Sequence, residues 1–242
     1  MIDMLEIDTL IGGSLYFQQP LSSKDGLRLI KLAIEGLGPY MGVPFKAYLD
    51  HQSDILTKQD AAAFEASGQA IIFNHEPLAR EMNRSTFFLT HSYLGTHPDV
   101  KQIRVYPSVI ASGPELDRVW DFMTDVMPRF VEATQPGLAM ATGSPEEDDY
   151  TEYLPNAAEI HPGELPPFFT PWNYIGPDCL TQERRRFLDR LPATRSEPFG
   201  EGWLLQVVRS LSQWPSPEFL ERLRSAPNPQ PVGYRQPRID EQ

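Results

Sequence analysis

The sequence predicts an α+β fold: a mixed, mainly antiparallel sheet with amphipathic helices packed on it. Three features carry this reading. Short runs rich in β-branched and aromatic residues recur along the first 110 residues, bounded by Gly, Pro and Asp. Two of these runs, Thr86 to Leu94 and Gln102 to Ile110, flank the turn residues Gly95, Pro98 and Asp99 and read as a β-hairpin. Between them and the C-terminal half stands one long apolar stripe at helical spacing: Leu116, Val119, Trp120, Met123, Val126, Met127 and Phe130.

Thr9 to Phe17 (TLIGGSLYF) predicts the first strand, with its Gly pair as a bulge signal, and Pro20 closes it. Ser22 and Ser23 offer N-caps to a helix in which Leu27, Ile30, Ile34 and Leu37 share one face, and Gly36, Gly38 and Pro39 end it. Phe45 to Leu49 alternates apolar and polar residues as a half-buried strand does. Lys58 to Ala66 reads as a short helix and Gln69 to Asn74 as a short strand.

Ser112-Gly-Pro-Glu115 has the spacing of a capping box, so the long helix is expected to start there, with Pro128 kinking its last turn and Pro136-Gly137 ending it. Gly137 to Thr142 (GLAMAT) follows as a small-residue strand suited to a tightly packed central place. Strand, capped helix and strand thus appear near 10–50 and again near 102–142, which suggests two related βα units in one sheet.

From Gly143 to Leu165 there is no Lys or Arg, and the acids Glu146, Glu147, Asp148, Asp149 and Glu152 gather in a stretch expected to be a surface excursion. Prolines 162, 166, 167, 171 and 177 then exclude regular helix, while Phe168, Trp172 and Tyr174 are expected to pin this segment to the body. A helix over 181–191, a strand over 202–208 and a short helix over 217–224, capped by Ser216, complete one domain of residues 1–226. Prolines 227, 229, 231 and 237 mark 227–242 as a tail.

Composition narrows function. With 21 Lys and Arg against 33 Asp and Glu, the net charge of -12 repels phosphate backbones and anionic headgroups, so neither nucleic acid nor membrane is an expected partner. A cationic protein is instead drawn in. The lone Cys179 admits no intramolecular disulfide, Asp3, Glu6 and Asp8 stand where a secretory signal carries Lys or Arg, and no run approaches the ~20 apolar residues of a membrane span; the reading is cytoplasmic.

No catalytic, cofactor or metal site is expected. His91, His97 and Asp99 are close in sequence, but His91 falls on a strand and His97 in the following turn, against no zinc-like spacing. The acid pairs lack the calcium-loop pattern, and adjacent carboxylates do not face each other across a substrate as a glycosidase pair must. Ser144 lacks the flanking Gly of a nucleophile elbow, and neither a P-loop nor a dinucleotide turn occurs. Cys179 at a helix N-terminus would have a lowered pKa, but a buried structural thiol is the preferred reading. Trp120 and Trp203 fall on core-facing elements, whereas Trp172 and Trp214, beside prolines, are read as exposed anchors for a partner.

The chain resembles the bacterial type VI immunity family in GGSLYFQQP leading into a helix, RVYPSVIASGPELDRVWDFM leading into a second helix, GLAMATG after it, and WNYIGPDCL followed by FGEGWLLQVV and PEFLERL. The resemblance implies an immunity protein that binds and neutralises a cognate antibacterial effector toxin by protein–protein contact, without enzymatic activity or cofactor. The residues proposed to meet the toxin's basic surface are Glu146, Glu147, Asp148, Asp149, Glu152, Trp172 and Trp214. The rival readings are a hydrolase-like enzyme using His91 or Cys179 between the two βα units, and a small-molecule binding module.

Overall fold

The computed structural model describes residues 9–17, 46–49, 53–54, 70–74, 86–92, 101–107, 110–111, 114–145, 154–155, 159–214 and 216–225. The elements in chain order are β1 (Thr9–Phe17), β2 (Lys46–Leu49), β3 (Ser53–Asp54), β4 (Ala70–Asn74), β5 (Thr86–Ser92), β6 (Lys101–Pro107), β7 (Ile110–Ala111), α1 (Pro114–Thr134), β8 (Leu138–Pro145), β9 (Trp172–Ile175), α2 (Gln182–Asp189), β10 (Arg195–Phe199), β11 (Gly202–Gln206) and α3 (Pro217–Arg224). Short 3-10 turns occupy Pro177–Cys179 and Leu211–Gln213.

The described strands form one 11-stranded sheet in the order β10-β11-β9-β8-β1-β6-β5-β4-β2-β3, with β7 also paired to β1. The fold is α+β as expected, and the pairings among the described strands are antiparallel, in keeping with the mainly antiparallel sheet anticipated. The expected hairpin is β5 on β6, with Leu89 opposite Val105. Strands β6 and β8 both flank β1, and α1 carries the chain from one to the other. Between β1 and β2, by contrast, lie β6, β5 and β4. The helices expected near 23–37 and 58–66, the capping Ser112 and the tail after 226 lie outside the described residues.

Two helical layers sandwich the centre of the sheet, and the alternation of each strand decides which residue meets which layer. On one face, Leu15, Ala139, Tyr174 and Leu204 form one cross-strand row and Gly13, Ala141, Trp172 and Gln206 the next. Small residues at Gly13, Ala139 and Ala141 let α1 come close: a Cβ on Gly13 would lie 3.0 Å from Met127 Sδ. The stripe predicted for this helix is buried throughout, from Leu116 to Phe130. α1 ends where Gln135 turns to φ 48° and its N–H returns to the Val131 carbonyl at 2.8 Å, with Pro136 preventing continuation.

The opposite face carries Tyr16, Leu138, Ile175 and Trp203, then Ser14, Met140, Asn173 and Leu205. Leu188 of α2, Phe219 and Leu223 of α3, and the irregular segment holding Leu154, Leu165, Phe168 and Phe169 cluster on these residues. Each small helix starts on a capped N–H: Thr181 Oγ1 accepts from Arg184 at 3.2 Å, and Ser216 Oγ from Phe219 at 3.4 Å with Pro217 next.

Candidate functional site

The acidic run expected to meet a partner is joined to the folded body at both ends. On its N-terminal side, β8 lies at the centre of the sheet and stays paired to its last residues, Ser144 opposite Leu10 and Pro145 opposite Thr9. On its C-terminal side, Leu154 is buried in the core and the buried Tyr16 hydroxyl donates to the Pro155 carbonyl. Glu146, Glu147, Asp148, Asp149 and Glu152 themselves lie outside the described residues. The stretch 143–165 is not wholly a surface excursion, because Leu154 and Leu165 are 3% and 7% exposed.

The expected exposed anchor at Trp172 is corrected by its position. The dense prolines around it pointed to an irregular segment, yet Trp172–Ile175 is a strand inserted between β8 and β11, and Trp172 has 0% exposure. It does pin the segment to the body, as expected of it, of Tyr174 and of Phe168, all of which are buried. Among the described residues, its indole N–H, like that of Trp120, is buried without a hydrogen-bond partner. Trp214 is half-buried, its ring 6.1 Å from that of Phe219 at an interplanar angle of 52°.

The two side chains on which an enzymatic reading leaned are placed differently from one another. His91 lies on β5 opposite Ile103, while His97 and Asp99 are outside the described residues. Cys179 ends the 3-10 turn and is 6% exposed. Burial pushes its thiol above the ordinary 9.0, against the lowering influence of the Gly163 backbone and the Arg184 guanidinium. It is therefore a buried structural thiol, not a dipole-activated one. Arg184 holds the surrounding chain: its Nη1 donates to the Cys179 carbonyl at 2.9 Å and the Gly163 carbonyl at 2.5 Å. Tyr174 is also shifted upward, by burial first, then by Glu201 and Cys179. Among the described residues, no three His, Cys, Asp or Glu side chains gather as a metal site would require, and no helix is long and apolar enough to cross a membrane.

Sequence reading missed how unevenly the charge is spread. Residues 159–225 hold eight Arg against nine Asp and Glu, so nearly all of the -12 belongs to the remainder of the chain. At the C-terminal end of α2, Arg186 and the capping Arg190 stand one turn apart, both exposed. The signal was present in the run QERRRFLDR, where every fourth residue shares a face. Next to α2, β10 forms one edge of the sheet with Arg195, Glu197 and Pro198 exposed. Charge and a proline without an N–H discourage another strand from pairing there.

No protein-family model and no curated protein matches the chain. Among solved structures, it is similar to a Pseudomonas aeruginosa T6SS protein at 11% sequence identity and a TM-score of 0.47, over 82% of this chain. The match spans 65% of that protein.

Proposed function

We propose that this chain is an immunity protein that binds a cognate antibacterial effector toxin, with the acidic run from Glu146 to Glu152 as part of its docking surface. The observation that carries this reading is the placement of the run: five carboxylates without a cation, spaced between a central strand ending at Pro145 and buried Leu154. A charged segment fixed at both ends loses less conformational freedom on binding than a free tail does. In a chain of net charge -12 it also adds to a field that attracts basic proteins. The sequence resemblance supplies the class of partner. The buried, upward-shifted thiol of Cys179 weighs against the hydrolase alternative in its cysteine form.

The test is to purify the chain with the product of a neighbouring gene and measure association. A complex of fixed stoichiometry is expected, with an on-rate that falls as salt rises. Replacing Glu146, Glu147, Asp148 and Asp149 by Ser is expected to slow capture roughly tenfold at low salt, at the lower end of electrostatic steering. An unchanged rate and salt dependence would remove the acidic run from the docking surface. Turnover of a substrate by the purified chain alone, abolished by replacing His91, would overturn the immunity reading itself.

A further inference from the structure

We draw no further inference here: the strongest candidate, the exposed pair Arg186 and Arg190 one turn apart at the C-terminal end of α2, carries nothing because no feature of the structure shows what covers it.

Discussion

Two glycines that touch across the β8–β9 junction should respond oppositely to the same substitution. A Cβ added to Gly176 would stand 2.6 Å from the Gly137 carbonyl oxygen and 3.0 Å from the Gly137 carbonyl carbon and Cα. These are backbone atoms at the start of a central strand, so no side chain can rotate out of the way. The chains must separate, and the bond from Gly176 N–H to the Gly137 oxygen, 2.9 Å long, is lost with them. Overpacking costs about 1–3 kcal/mol and the hydrogen bond about 1 kcal/mol. The stiffer unfolded chain returns roughly 0.4–1 kcal/mol. Gly176→Ala should therefore destabilise by about 1–3.5 kcal/mol. At Gly137 the added methyl meets, among the described residues, only the Tyr16 carbonyl oxygen, at an ordinary 3.7 Å, so Gly137→Ala should leave stability within about 0.5 kcal/mol or raise it slightly. Urea unfolding followed by tryptophan fluorescence reads both, with equal slopes expected if only stability changes. Equal losses in the two variants, or none at Gly176, would refute the claim that close backbone approach dictates glycine there.

Other outcomes follow from the packing and the titrating groups. Phe219 is fully buried, with its ring 6.1 Å from Phe169 and from Trp214; Phe219→Ala should cost about 3–5 kcal/mol and lower Tm by on the order of 10 °C in a scanning melt. Ser210 donates to Asp117 and ties the 3-10 turn to α1; a double-mutant cycle of Ser210→Ala and Asp117→Ala should return a coupling of about 1–2 kcal/mol, and a value near zero would deny the tie. Cys179 and Tyr174 hold their protons more tightly folded than unfolded, above the ordinary 9.0 and 10.0. Their contribution to stability is complete below about pH 9 and is lost as pH rises toward the folded values, because the unfolded chain releases its protons first. Stability measured by urea midpoint should fall from about pH 9 upward, less steeply in Cys179→Ala, and a thiol reagent should label the native protein slowly at neutral pH; rapid labelling would contradict the burial.

Elements whose signals are local were legible in the sequence. Thr9 to Phe17 is a strand over its full expected length, and Ser216-Pro217 starts α3 where the cap predicts. The stripe from Leu116 to Phe130 gave α1. Strand β9 was missed because all four of its residues are buried, so the alternation that betrays a half-exposed strand is absent and the flanking prolines dominate the pattern. Strand β10 was missed because Pro198 lies within it, which only an edge position tolerates. The acidic run was visible from composition alone. That its ends are anchored was not, since the Tyr16–Pro155 bond joins residues 139 apart. Trp172 misled because it follows Pro171 in a proline-dense stretch while its neighbours in space are β8 and β11.

The placement of β1 between β6 and β8 imposes a delay on the nascent chain. Its residues Leu10 to Phe17 leave the ribosome roughly 80 residues before the first of β6, which at about 5–20 residues per second is several seconds of synthesis before either flanking strand exists. The wait for β8 is longer still. During that interval the segment LIGGSLYF, uncharged and rich in β-formers, is open to pairing with other chains. Expression at lower temperature or with holdase chaperones should raise the soluble yield, since both favour waiting over aggregation.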